Sequence, residues 1–122
     1  MNLLTTAQRD QLLANGRAQR QAIRYGAGDC IPADLHPVVK LFTPDAGATW
    51  LLTELDPDDQ DLAFGLCDLG LGEPELGYVR LSELANLRGS IGLPVKRDLY
   101  FEADKPISAY AAKAHEHRRI CA

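Results

Sequence analysis

Residues 38–80, VVKLFTPDAGATWLLTELDPDDQDLAFGLCDLGLGEPELGYVR, decide the fold of this chain. Runs of β-branched, aromatic and other apolar residues alternate there with turns rich in proline, glycine and aspartate, which is typical of strands joined by tight loops. The loops are too short for helical crossovers, so neighbouring strands must run antiparallel. We predict four strands, at residues 38–42, 48–55, 62–69 and 75–80.

The segment before this stretch predicts a helix. Thr5 or Thr6 can cap it, because a side-chain oxygen accepts hydrogen bonds from the free backbone N–H groups of a first helical turn. Asn15-Gly16 predicts a stop or a kink, since glycine is the commonest residue just past a helix end. The helix then resumes over residues 17–25.

The segment after residue 80 predicts a short helix over 81–87 capped by Ser82, a fifth strand over 95–102 and a C-terminal helix over 108–119. We therefore predict one α+β domain over residues 1–122. Its core is an antiparallel five-stranded meander sheet, with an N-terminal helix, a short helix after the fourth strand and a C-terminal helix. The two terminal helices are expected to cover one face of the sheet.

Composition narrows the classes of function. The chain has 122 residues, with 13 Lys plus Arg against 17 Asp plus Glu and a formal net charge of −4. Such a surface repels phosphate, so general nucleic-acid binding is disfavoured. No apolar run reaches the roughly 20 residues that span a bilayer, and no secretory signal opens the chain, so we expect a cytoplasmic protein without membrane contact.

The cysteine content also favours a cytoplasmic protein. The three cysteines, Cys30, Cys67 and Cys121, are an odd number at wide spacings, which does not form a disulfide framework. We expect free thiols, as in a reducing compartment. No CxxC pair is present for a closed zinc site, and we expect no metal and no cofactor.

Several motifs in one order resemble a known bacterial family. They are LFTP at 41–44, TELDPDD at 53–59, ELGY at 75–78 with LSEL at 81–84, and RDL at 97–99. In this order they resemble domain of unknown function family 2958, over about residues 3–108. The resemblance implies a small accessory protein of plasmids, phages and other mobile elements, with no assigned activity. The Arg17 to Asp34 segment looks longer than usual for the family, and the helical tail over 108–122 looks like an extension.

Charged residues in or beside the predicted strands define the candidate site. Charge is unusual in strands unless it is exposed or paired. If these side chains share a face with the aromatic ones, they form a polar pocket with aromatic walls, suited to a small ligand or a peptide. A structural salt bridge from Arg97 to Glu54 or Glu75 is the alternative. The candidate ligand-binding residues are Trp50, Glu54, Asp56, Glu75, Tyr78 and Arg97.

Three other patterns allow a binding role but favour a plain structural one. The acidic loop 56–61 has oxygen ligands at alternating positions, as calcium sites do, but lacks the rest of an EF-hand and is expected to be a solvated turn. The loop 88–92 can present backbone N–H groups to an anion, but lacks the P-loop lysine. The histidines of residues 115–117 fall in an expected frayed basic tail.

Our leading hypothesis is a non-catalytic binding or regulatory module of a mobile genetic element, which recognises a protein partner or a small ligand. The first alternative is a small hydrolase or lyase that uses Glu54, Asp56 or Glu75 as base and Arg97 as an anion clamp. The second is a nucleic-acid accessory protein, although nucleic acid is the less expected partner. It would use the basic face of the N-terminal helix, formed by Arg9, Arg17, Arg20 and Arg24.

Overall fold

The fold is α+β, as predicted. The structure, a computed structural model, describes residues 3–25 and 34–122. Its elements in chain order are α1 (Thr6–Tyr25), β1 (Val39–Phe42), β2 (Thr49–Asp56), β3 (Asp59–Asp68), β4 (Glu75–Arg80), α2 (Leu81–Asn86), β5 (Lys96–Arg97) and α3 (Ile107–His117). The loop predicted after Tyr25, including Cys30, lies outside the described residues.

The five strands form one antiparallel sheet in the order β4-β3-β2-β1-β5. The first four strands are the predicted meander, but β5 pairs with β1 at the other edge. Only Lys96 and Arg97 of the predicted strand 95–102 join the sheet. The Asp98 backbone N–H still bonds the Lys40 carbonyl at 2.9 Å, and the Asp98 carboxylate then accepts the Tyr100 N–H at 2.9 Å, which turns the chain away.

A bulge in β2 directs the side chains of Leu52 and Leu55 into the same core, although the two residues are three positions apart. Leu52 pairs with Gly65 and Glu54 with Phe64, so Thr53 is the extra residue. One extra residue reverses the alternation of side chains, which returns Leu55 to the same face as Leu52. Gly65 permits this crowding, because a Cβ there would lie 2.0 Å from the Leu51 carbonyl oxygen.

The helices cover both faces of the sheet, so the expectation that the terminal helices share one face was wrong. Because side chains alternate along β2, neighbouring residues of one strand enter different cores. The core under α1 contains Leu12, Leu13, Val39, Leu41, Trp50, Leu52, Leu55 and Ala63, and α2 adds Leu81 and Leu84. The core under α3 contains Leu51, Leu66, Ile107, Tyr110, Ala111 and Ala114.

Helix α1 runs without a break through Gly16, so the predicted stop or kink is wrong. The start is as predicted: Thr5 Oγ1 accepts the Gln8 N–H at 3.1 Å and Gln8 Oε1 accepts the Thr5 N–H at 3.0 Å, a capping box. Gly16 serves packing instead. A Cβ on Gly16 would lie 1.8 Å from the Leu55 carbonyl oxygen, so only glycine allows α1 to approach β2 this closely.

The other two helices differ from prediction at their ends. Ser82 does not cap α2; its N–H and hydroxyl donate to the Asp61 carboxylate at 2.9 and 2.7 Å. The tail after α3 is docked rather than frayed, since the Ile120 N–H donates at 2.9 Å to the buried carboxylate of Asp68. The thiols of Cys67 and Cys121 are free.

Candidate functional site

Three of the six predicted site residues, Glu54, Asp56 and Tyr78, line one cleft. Glu54 on β2, Phe64 on β3 and Tyr78 on β4 are successive neighbours across the sheet. Together with Asp56 and with Gln19 and Arg20 of α1 they line a cleft of about 90 Å³. We call these six residues the Glu54 cleft.

The other three predicted residues lie elsewhere. Trp50 is 1 % exposed and belongs to the core under α1. Glu75 is exposed at the start of β4, three residues before Tyr78 and therefore on the opposite face of that strand. The alternation of residues along a strand does not show which face of the sheet a helix covers, so it could not exclude either residue from the predicted pocket.

Arg97 lies at the opposite edge of the sheet from Tyr78. Four strand spacings separate β5 from β4, which is roughly 19 Å at about 4.8 Å per strand. Its guanidinium donates to the Leu3 carbonyl at 3.0 Å and makes no salt bridge with Glu54 or Glu75. The predicted six-residue pocket therefore does not form, and the enzyme hypothesis loses its anion clamp.

Arg20 supplies the cation at the cleft, whereas the sequence predicted it as part of a basic face of the N-terminal helix. One guanidinium nitrogen lies 3.0 Å from Asp56 Oδ1 and the other hydrogen-bonds Asp58. The hydrogen bond that Arg20 donates to Asp58 raises the pKa of Arg20, and the charges of Asp58 and Asp56 add to the rise. Since Arg20 is committed to these carboxylates, the proposed nucleic-acid face of α1 loses its central charge.

Glu54 is the electrostatically unusual group of the cleft. Its carboxylate is half-buried, and burial raises its pKa above the ordinary value. A hydrogen bond from Gln19 acts in the opposite direction, and the neighbouring charge of Asp56 raises the pKa further. Among the described residues no cation forms a salt bridge with Glu54, so it is a poorly solvated carboxylate beside a second one.

An aromatic pair forms the outer wall of the cleft. The rings of Phe64 and Tyr78 meet edge to face, with centroids 5.0 Å apart and planes inclined at 66°. This arrangement is the favoured one for aromatic pairs and fixes the position of both rings. Tyr78 is nevertheless 67 % exposed, so its ring remains available to a partner.

The acidic loop at the end of β2 does not have free ligands for calcium. Asp56 and Asp58 bind Arg20, Asp59 accepts from Arg80 at 2.9 Å, and Asp61 holds the start of α2. Each carboxylate is thus used within the fold. In the part of the chain that the structure describes, no group of three or more His, Cys, Asp or Glu residues is arranged to hold a metal ion.

The backbone N–H groups in and beside the loop 88–92 bind a carboxylate of the same chain, that of Asp45, where a phosphate had been considered. Asp45 Oδ2 accepts the N–H groups of Ile91 and Leu93 at 2.8 and 3.2 Å. Burial acts to raise the pKa of Asp45, but these backbone donors outweigh it and the pKa is lowered. Gly89 leaves room for this carboxylate, because a Cβ there would lie 1.5 Å from Asp45 Oδ1. The suggested phosphate site is therefore a tie between two loops.

Nucleophilic chemistry at a cysteine has no support at the sheet. The Cys67 thiol lies on β3, and burial raises its pKa to about 11. A thiol with this pKa is almost entirely protonated at neutral pH, and the protonated form is a poor nucleophile.

No helix in residues 3–25 or 34–122 has the length and apolar character needed to cross a membrane.

Comparison with known proteins identifies the family of the chain but no individual relative. No curated protein and no solved structure matches the chain. The family model described as "Protein of unknown function (DUF2958)" matches residues 3–121. The match continues past residue 108, where the sequence resemblance was expected to end, and includes α3. The chain belongs to the family Protein of unknown function (DUF2958).

Proposed function

We propose that this protein is a non-catalytic binding module, and that the Glu54 cleft receives the cationic end of an arginine or lysine side chain of a partner protein. The observation that carries the proposal is the half-buried Glu54 carboxylate, whose pKa is raised by burial and which forms no salt bridge with a cation among the residues that the structure describes. A carboxylate that has lost part of its hydration gains most from an incoming cation, because the surrounding medium screens the attraction less than water does.

The charge balance around the cleft supports a cationic ligand. In the described part of the chain, three carboxylates, those of Glu54, Asp56 and Asp58, lie around one guanidinium, that of Arg20. Arg20 is held by two of them, so the third remains uncompensated. An anionic substrate would meet this surplus of negative charge and be repelled. The arrangement therefore favours a basic ligand over the acid or phosphate that an arginine clamp would hold.

The size of the cleft favours a side chain over a metabolite. Its volume of about 90 Å³ is well below the roughly 300–1,000 Å³ of typical small-molecule sites. The exposed ring of Tyr78 at its mouth can contact a guanidinium or ammonium group by a cation–π interaction. A role in regulating a partner protein fits these features and the accessory character that the family resemblance implies.

A titration with matched ligands tests this proposal. N-acetyl-arginine amide and its neutral isostere N-acetyl-citrulline amide are each added to ¹⁵N-labelled protein. We expect the arginine derivative to move the backbone NMR signals of Glu54, Phe64 and Tyr78, with a Kd in the millimolar range typical of one side chain, and the citrulline derivative to leave them unchanged.

Two variants complete the experiment. Glu54→Gln keeps the shape of the cleft and removes its charge, so the response to the arginine derivative should be lost. Glu75→Gln removes an exposed charge from the same strand as Tyr78 and should retain the response. Equal responses to the two ligands, or an unchanged response in Glu54→Gln, would show that the cleft does not select a cation.

A further inference from the structure

The loop over residues 98–104, DLYFEAD, presents two large apolar side chains to solvent. Leu99 is 73 % exposed and Tyr100 is 92 % exposed. Single exposed apolar residues are ordinary, but adjacent ones that include an almost wholly exposed tyrosine are typical of binding surfaces, where tyrosine is enriched. The loop follows β5 and so lies at the opposite edge of the sheet from Tyr78 and the Glu54 cleft.

The fold holds this loop in place at both ends. At its start the Asp98 N–H bonds the Lys40 carbonyl at 2.9 Å, and the Asp98 carboxylate accepts the Tyr100 N–H. At its end the Tyr110 hydroxyl donates to Asp104 Oδ1 at 3.0 Å and accepts the Asp104 N–H at 3.2 Å. The exposure of Tyr100 is therefore fixed by the loop's own anchors.

The interior of the loop adds to this order. Phe101 and Ala103 turn inward and pack against the core under α3, so the residues next to them are directed outward. A surface ordered in advance loses little conformational entropy when it binds, which is the usual requirement for a specific contact.

The charge around the exposed pair is acidic. Three carboxylates, those of Asp98, Glu102 and Asp104, flank it. Lys40 pairs with Asp98 at 3.7 Å and Lys105, just after the loop, pairs with Asp104 at 3.4 Å, whereas Glu102 forms no salt bridge among the described residues. Both lysine side chains are largely covered, whereas that of Asp104 is 78 % exposed, so negative charge is in excess at the surface. The Tyr110 hydrogen bond, with Lys105, lowers the pKa of Asp104, which keeps that carboxylate ionised. A partner that approaches Tyr100 thus meets negative charge around an apolar centre.

We infer that the 98–104 loop is a docking surface for a partner protein that offers an apolar pocket ringed by lysine or arginine, with Leu99 and Tyr100 inserted in the pocket. A groove of about 300 Å³ lies beside the loop, between Tyr100, Phe101 and Tyr110, and can take a side chain from the rim of that pocket. This inference does not depend on the Glu54 cleft, because the two surfaces lie at opposite edges of the sheet.

Binding of three short synthetic peptides measured by fluorescence anisotropy tests the inference. The first alternates leucine and lysine, the second has glutamate in place of lysine, and the third has serine in place of leucine. We expect the leucine–lysine peptide to bind at least about tenfold more tightly than either of the others, because the surface requires both apolar contact and basic charge.

Protein variants locate the site. Tyr100→Ser and Leu99→Ser should each weaken binding of the leucine–lysine peptide at least about tenfold and leave the thermal unfolding midpoint unchanged, since both side chains are exposed. Leu71→Ser is the matched control, because Leu71 is 79 % exposed in the loop between β3 and β4, and it should bind as the parent protein does.

Three outcomes would overturn the inference. Equal weakening by Leu71→Ser would mean that the peptide binds any apolar surface of this acidic protein. Equal binding of the serine–lysine peptide would mean that charge alone acts. Self-association of the protein in sedimentation, lost in Tyr100→Ser, would identify a second copy of this chain as the occupant in place of a basic partner.

Discussion

Replacing Gly16 by alanine tests how closely α1 packs on the sheet. In an exposed helix this change stabilises by about 1 kcal/mol, because alanine is the better helix former. Here the new Cβ would lie 1.8 Å from the Leu55 carbonyl oxygen, whereas real Cβ contacts keep at least 3.0 Å. The helix must therefore move by at least about 1.2 Å, the difference between these two distances.

The cost of that movement decides the sign of the effect. The displaced oxygen is backbone of β2, so it cannot rotate away as a side chain can. Overpacking costs typically about 1–3 kcal/mol, and a clash with backbone that cannot turn aside belongs to the upper part of that range, about 2–3 kcal/mol. The propensity gain offsets about 1 kcal/mol of this cost. We expect Gly16→Ala to lower the free energy of unfolding by about 1–2 kcal/mol, which corresponds to a fall in Tm of roughly 3–8 °C for a domain of this size.

Thermal and urea unfolding followed by circular dichroism measure this effect, with two control variants. Ala18→Gly, on the exposed side of α1, should cost about 1 kcal/mol through helix propensity alone. Gly77→Ala in β4 should be neutral or slightly stabilising, because no heavy atom lies within 4 Å of the added Cβ. If Gly16→Ala raised Tm, helix propensity would outweigh packing and the close approach to Leu55 would have no energetic role.

Two further predictions concern buried carboxylates. Asp68→Ala leaves the N–H groups of Gly70 and Ile120 without their acceptor. It should lower the free energy of unfolding by about 2–3 kcal/mol in urea titrations. Glu73→Ala in the adjacent loop should change that free energy little, and equal effects of the two variants would argue against a role for Asp68 in docking the tail. Because folding raises the pKa of Glu54, its ionisation opposes folding as pH rises through the folded-state pKa, and its stabilising effect is complete only below the unfolded-state value. Glu54→Gln should therefore raise Tm relative to the parent protein at pH 7, with a difference that shrinks towards pH 4, and a difference independent of pH would show that burial of this charge is not its cause.

Three aspartates, one of them in the acidic loop 56–61, hold other segments of the chain in place. Asp45 binds the loop before β5, Asp61 the start of α2 and Asp68 the tail after α3, and each accepts backbone N–H groups. Backbone donors in irregular segments need an acceptor when water is excluded, and a carboxylate satisfies two at once. These three aspartates are therefore structural, and we assign binding to Glu54 and to the 98–104 loop.

Local patterns in the sequence were enough for the first four strands, a cap at Thr5 or Thr6 and the α+β class. Alternation, turn residues and capping act over a few residues, so they can be recognised without knowing what packs against them. The family motifs could also be recognised from the sequence alone, because each is a short string of residues and they occur in a fixed order. Glu54, Asp56 and Tyr78 line one cleft because all three lie in the part of the sheet formed by consecutive hairpins.

Only the tertiary structure decided which distant segments meet. Strand β5 pairs with β1 because the chain crosses back after α2, and this takes Arg97 away from the cleft. Arg20 reaches Asp56 because Gly16 lets α1 lie against the carbonyl of Leu55. The spacing of residues in the sequence does not predict this contact between α1 and β2. Such contacts depend on loop closure and on the shape of both packed surfaces, and neither quantity is present in the order of residues along one segment.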